Sequence, residues 1–264
     1  MVRAGLIVVL VAVFAAAAGP FLSPYDSAAQ ELARRLEAPS LAHPLGLDEL
    51  GRDILARLLE GARISLMVGI AVVSVSSTVG MLFGSIAGYF GGRVDDVISR
   101  VIDVLMAFPG ILLAIAIVAV LGPSLTNVVL ALSVIGWVGY ARLVRGQALR
   151  AREFEFVQAA RACGASSARI VLRHILPTAL PAVVVQATLG MAGAIIAEAA
   201  LSFLGLGVQP PTPSWGTMLD AGRAHLFDAP HLTIFPGLAI ALLVLGLNFL
   251  GDGLRDRVDP KILR

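Results

Sequence analysis

From Ile64 to Gly92 the chain runs for 29 residues without a charged side chain, and several comparable apolar runs lie on either side. About 20 mainly apolar residues cross the hydrocarbon core of a bilayer. Gly5 to Leu22 is a second uncharged run. Between Asp103 and Arg142 lie 38 uncharged residues, interrupted by "GPSLTN" from Gly122 to Asn127. Gly, Pro and polar residues in that order mark a turn, so this stretch divides into spans over about 103–121 and 126–144. Two more follow, over about 181–206 and 232–251. The pattern predicts an all-α integral membrane protein with six transmembrane helices. The first run also fits a secretory signal peptide, with Arg3 as its basic start and the alanine cluster as a cleavage site.

Composition agrees with a membrane protein: 58% of residues are hydrophobic and 14% charged, against about 25% charged in soluble domains. The formal charge is +2, and Lys261 is the only lysine. Arginine at helix ends suits lipid headgroups, and nothing in this balance points to nucleic acid. A single cysteine, Cys163, excludes an internal disulfide and any CxxC metal or redox site.

Basic residues orient the chain. With the N-terminus in the cytoplasm, the cytoplasmic segments are 1–4, 93–102, 142–180 and 252–264, and these hold 14 of the 20 basic residues. Seven of them, from Arg142 to Arg173, fall in one short segment beside the spans, where the positive-inside rule weighs most. Both termini are therefore expected inside.

Within the spans, Gly80, Gly84 and Gly88 recur every four residues. Such a strip lets another helix approach closely, which fits internal packing or, alternatively, contact with a partner subunit. Glu198 is the one acidic residue deep in a run. It lies roughly 25 Å along the helix from Pro181, near the outer boundary, as an interfacial hydrogen-bonding group or a pathway residue. Asn248 is expected to hydrogen-bond between helices.

Catalytic sets are missing. Lys261 follows Pro260 and lacks the glycines of a phosphate loop. His43, His174, His225 and His231 are scattered, without a metal-binding spacing. "GASS" (Gly164 to Ser167) near His174 superficially suits an intramembrane serine protease, but Ser166 in an arginine-rich segment reads better as a helix N-cap. The other class open at this point is a stand-alone secondary transporter or channel, although no inverted repeat of broken helices is visible.

One stretch is too charged to span and too regular for a loose loop: "EFVQAARACGASSARIVLRHILP", from Glu155 to Pro177. Glu153 to Ala162 predicts a short helix of about 15 Å. Phe156, Ala159, Ala160 and Cys163 share one small-residue face at i, i+3, i+4, i+7 spacing. Gly164 suits a left-handed C-cap. Ser166 or Ser167 then opens a second helix through Leu176, ended by Pro177. Such a unit could dock in a groove on another protein or lie on lipid headgroups.

This stretch resembles the EAA loop of membrane subunits of binding-protein-dependent ABC importers, with Ala159, Ala160, Gly164, Leu176 and Pro177 in register. Gln158 stands where the family usually has Glu, and His174 where it usually has an aliphatic residue. "HPLGLDELGRDILARLLEGARISL" (His43 to Leu66), "AEAALSFLGLGVQPPTPSWGTML" (Ala197 to Leu219) and "FPGLAIALLVLGLNFLGDGLRDRVDP" (Phe235 to Pro260) resemble the second permease of dipeptide, oligopeptide and nickel importers. The tail before the first span, about four residues, is shorter than usual in that subfamily. The resemblance implies the type I ABC importer (MetI-like) permease fold. It divides the chain into 1–61 (first helix and extracytoplasmic segment), a permease domain over 62–251 with its coupling loop at 153–177, and a tail at 252–264. It further implies a non-catalytic inner-membrane subunit paired with a homologous permease, and two cytoplasmic ATPase subunits that bind the ATP and Mg. A solute-binding protein would deliver short peptides or nickel. ATPase docking would fall on Phe156, Gln158, Ala159, Ala160, Cys163, Gly164, Ala165 and Arg169.

Overall fold

The computed structural model describes residues 2–258; Lys261, Arg264 and the rest of 259–264 lie outside the described residues. Ten α-helices follow in order: α1 (Val2–Leu22), α2 (Ile54–Phe90), α3 (Gly92–Met106), α4 (Gly110–Leu121), α5 (Leu125–Ala151), α6 (Glu155–Ala162), α7 (Ser167–Ile170), α8 (Leu176–Phe203), α9 (Trp215–Gly222) and α10 (His231–Val258). Five helical stretches are long and apolar enough to span, or six if the bent pair α3–α4 counts as one. α1 packs along α10 and α2, so the first run is a built-in helix of the bundle. The domain limits expected at 61 and 251 both fall inside continuous helices, α2 and α10.

Three boundaries differ from expectation. α2 begins ten residues before Ile64 and covers 37 residues, about 55 Å, so it overshoots a hydrocarbon core of about 30 Å. Its start is set by Asp53, whose carboxylate accepts the Ala56 N–H at 2.8 Å, an N-cap. The predicted span at 103–121 is broken instead: α3 and α4 meet at 85° across Ala107, Phe108 and Pro109. Pro109 disfavours helix at Phe108 and cannot donate, which ends α3. α4 alone has 12 residues, roughly 18 Å. α3 has three faces: Ile102 buried, Val94, Val97, Val101 and Val104 exposed, and Arg93, Asp96, Arg100 and Asp103 exposed beside them. The turn into α5 forms as expected. Gly122 adopts φ +91°, and the Asn127 side chain donates to Leu121 O and Gly122 O at 3.0 and 2.9 Å.

The third difference concerns Pro177, which does not end a helix. α7 runs into α8 through a π-turn at Val171–Ile175, in which the Leu176 N–H bonds back to Val171 O. The wider turn accommodates Pro177, which has no N–H to offer, and 37 residues from Ser167 to Phe203 form one rod.

α2 and α5 are the central pair, and small residues bring them together. A Cβ on Gly80 or Gly84 would overlap Tyr140 or the Ala141 carbonyl, and on Gly88 it would lie 2.6 Å from Ala148 Cβ. All three glycines therefore sit against α5 of the same chain. In lipid, where apolar burial between helices gives little, such close backbone approach supplies the dispersion contacts that hold a pair.

At one end, residues 23–53 cover the start of α2. Leu47 and Asp53 form an antiparallel bridge. Asp48 accepts Arg52 Nε at 2.6 Å and lies 3.4 Å from Arg57 Nε. His43 Nδ1 lies 2.9 Å from Asp53 Oδ2. All five of these side chains are buried. The α8–α10 connection and the start of α10 pack nearby: Trp215 Nε1 donates to Leu58 O at 2.9 Å, and His231 packs against Gly46.

Candidate functional site

At the opposite end, α5, the tip of α2 and the 152–175 segment come together. α6 begins at Glu155, with Phe154 as N-cap, two residues later than predicted because Glu153 and Phe154 are taken up in turns back to Arg150 and Ala151. Its anchor is Val157, fully buried with Ala148, Ala151, Ile170 and Ile175 beside Tyr89. α6 ends in a Schellman motif: the Ala165 N–H bonds to Ala160 O and the Gly164 N–H to Arg161 O, both at 3.0 Å. Gly164 has φ +78°, which a residue with a Cβ adopts at a cost of about 1–2 kcal/mol. Ser166 then caps α7, its Oγ accepting the Arg169 N–H at 3.4 Å. Among the described residues no hydrogen bond joins the His174 ring to Ser166 or Ser167.

The expected small-residue face divides. Phe156, Ala159, Cys163 and Gly164 are exposed, as are Gln158 and Arg169. Ala160 instead packs partly inward against the Val157 cluster, a correction to the face drawn from spacing, and Ala165, expected among the docking residues from the resemblance, does the same. The inward stripe is set by the largest aliphatic residue, Val157, which rotates the helix so that Ala160 follows it. Val157, Ile170 and Ile175 were the signal available in the sequence, since an otherwise polar segment buries its few aliphatic residues first.

The exposed face has two unlike edges. On one, Phe154, Phe156 and His174 form an aromatic row, with ring centroids 5.6 and 5.9 Å apart. On the other, Arg161 stands 5.6 Å from the Tyr89 ring centroid. Gln158 Nε2 donates to Glu153 O at 3.1 Å, and Arg152 bonds to Gly88 O at 3.4 Å and to Glu153 at 3.0 Å. Beyond this edge, Arg145 grips Asp95 of α3 in a two-pronged ion pair at 2.5 and 2.7 Å. That guanidinium holds the Asp95 carboxyl below the usual carboxylate range.

The other polar residues singled out lie elsewhere. Glu198 is fully buried where α9 folds onto α8, and Ser202 donates to its Oε1 at 2.6 Å. It is enclosed by its own chain, with Oε2 unpartnered. Asn248 is half-buried, and among the described residues it makes no hydrogen bond to another helix; the expected interhelical bond does not form.

The residues match known proteins over nearly their whole length. The family described as binding-protein-dependent transport system inner membrane component matches residues 80–264. The N-terminal TM domain of oligopeptide transport permease C matches residues 1–39. A dipeptide transport system permease protein of Alkalihalophilus pseudofirmus is 47% identical over 98% of this chain and 85% of its own. A glutathione transport system permease protein of Pectobacterium atrosepticum is 48% identical over 99% of this chain and 87% of its own. Among solved structures, a chain of the inward-facing MetNI methionine ABC transporter superposes with TM-score 0.59 at 20% identity, over 77% of this chain and 97% of that one, which shows the fold. A stand-alone secondary transporter or channel and an intramembrane hydrolase are thereby displaced. With its spanning bundle and its EAA-type segment exposed at one end, the chain belongs to the inner-membrane components of binding-protein-dependent transport systems, as a permease subunit of an ABC importer.

Proposed function

We propose that α6 is the docking helix through which two ATPase subunits drive this permease, and that the cargo is a short peptide. In this reading α6 faces the cytoplasm, as do both termini, because seven arginines cluster between 142 and 180. A homologous permease completes the pathway, and a solute-binding protein delivers cargo at the end covered by residues 23–53. ATP and Mg bind the ATPase subunits, and this chain carries no cofactor.

The observation that carries the proposal is mechanical. α6 is too short to be stable alone, yet it is pinned by Val157 and closed by the Schellman turn, and α7 continues without a break into the rod that reaches Phe203. A push on the exposed Phe156–Ala159–Cys163 face therefore has a stiff route into the spanning bundle. The names of the relatives favour peptide cargo: one transports dipeptides and another glutathione, itself a tripeptide.

Ala159→Arg tests docking without disturbing the core, because Ala159 is exposed whereas Ala160 is not. The expected result is loss of co-purifying ATPase subunits and of transport, with the variant folded in the membrane at normal level. Retention of the ATPase subunits would refute the docking role. Retention of di- or tripeptides by the cognate solute-binding protein tests the cargo.

A further inference from the structure

The flank of α6 away from Phe156 borders a mixed groove of about 800 Å³, in which Arg152, Glu153, Gln158, Arg161 and Ser167 stand beside Tyr89, Phe90 and Ala162. Its lining holds two arginines and one glutamate, and the surrounding segment is more strongly basic. Between residues 142 and 177 there are seven arginines and two glutamates. Arg145 is neutralised by Asp95 and Arg152 leans on Glu153, whereas Arg142, Arg150, Arg161, Arg169 and Arg173 form no ion pair among the described residues. Arg161 is spread over the Tyr89 ring, an arrangement that holds the guanidinium plane in place and leaves its N–H fork available. Gln158 adds no negative charge, and its amide nitrogen is already engaged by Glu153 O.

We infer that this groove receives a carboxylate side chain presented by the ATPase subunit, so that the docking contact pairs arginine on this chain with acid on the partner. The inference rests on α6 being the docking helix. A planar guanidinium with an open fork favours two-pronged contact with a carboxylate, and the pair strengthens as docking excludes water. Anionic lipid headgroups share the charge but fit less well. Glu153 lines the same groove and Glu155 lies exposed on the first turn of α6, so a planar sheet of phosphates would meet both acids. A protein surface can place one acid against Arg161 and avoid them.

The test uses the whole importer: both permeases with their ATPase subunits, purified in detergent and in nanodiscs of either neutral phosphatidylcholine or phosphatidylcholine with phosphatidylglycerol. Arg161→Glu is expected to lower ATPase retention about tenfold or more in detergent and in both lipids. Arg161→Gln should give a smaller loss, and raising the salt should weaken wild type but not Arg161→Gln. Replacing single acids on the ATPase surface with Arg should restore retention by Arg161→Glu at one position. Normal retention by Arg161→Glu would overturn the inference, as would a loss confined to phosphatidylglycerol nanodiscs, which would assign the groove to lipid. Ala159→Arg separates this from the docking role. If it releases the ATPase subunits while Arg161→Glu does not, only the carboxylate contact is wrong; if neither releases them, docking through α6 fails as well.

Discussion

At the end covered by residues 23–53, a cluster of charges is buried and paired within the chain: Asp48 serves Arg52 and Arg57, and Asp53 serves both His43 and the first turn of α2. At the α6 end most arginines are exposed, and among the described residues five of the seven from Arg142 to Arg173 form no ion pair. Both ends are short polar segments on the same bundle, yet one is closed on itself and the other open. Buried charges need their partners within the chain, because an unpaired ion out of water costs several kcal/mol. Exposed guanidiniums carry no such requirement and keep their hydrogen-bonding capacity for another surface. Self-satisfaction marks the structural end, and unspent polar capacity marks the interaction end.

Breaking this contrast most severely should be Asp48→Ala. It strands two buried guanidiniums, and loss of one partner in a buried pair costs about 3–5 kcal/mol. The expected readout is a large drop in the thermal midpoint of the detergent-solubilised protein and poor yield; near-normal stability would mean that water reaches Arg52 and Arg57. Next in size is Val157→Ala, which empties part of the cluster under α6 for about 1–3 kcal/mol. It should unfasten α6 while the far end stays intact, so hydrogen exchange should rise over 155–165 and not over 43–57.

Gly164→Ala should cost about 1–2 kcal/mol through its positive φ. It should reduce ATPase coupling more than overall stability, whereas equal losses in both would deny α6 a separate role. Asp95→Asn, which loosens α3 from Arg145, is worth about 1 kcal/mol or less, because the pair is partly solvated. Since Arg145 depresses the Asp95 pKa, this contribution is present above the ordinary carboxylate range and is lost as pH falls through the lowered folded value. The variant and wild type should therefore differ at neutral pH and converge in strong acid. Phe156→Ala should be smallest in stability, within about 0.5 kcal/mol, yet should impair transport; an inert variant in both assays would remove the aromatic edge from the docking face.

Much of the bundle was legible in the chain because lipid imposes a one-dimensional rule. Most uncharged runs longer than the hydrocarbon core become spans, the stretch broken at Pro109 being the exception, while "GPSLTN" becomes a turn and Gly164 a left-handed cap. The family was equally legible from motifs spread between His43 and Pro260. Local chemistry is enough for such features, since the backbone must satisfy its own hydrogen bonds in lipid and a positive φ selects glycine.

Tertiary structure decided what a period or a charge count leaves open. Spacing put Ala160 on one face with Phe156, Ala159 and Cys163, and the packing of Val157 against Ile170 and Ile175 turned it inward. Pro177 looked like a stop, but a π-turn absorbed its missing N–H and made α7 and α8 one rod. Glu198 could have lined a pathway until α9 folded over it. The orientation of α6 and the burial of Glu198 depend on contacts between separate elements, whose energies no local pattern contains, and those contacts set which side chains remain free for a partner.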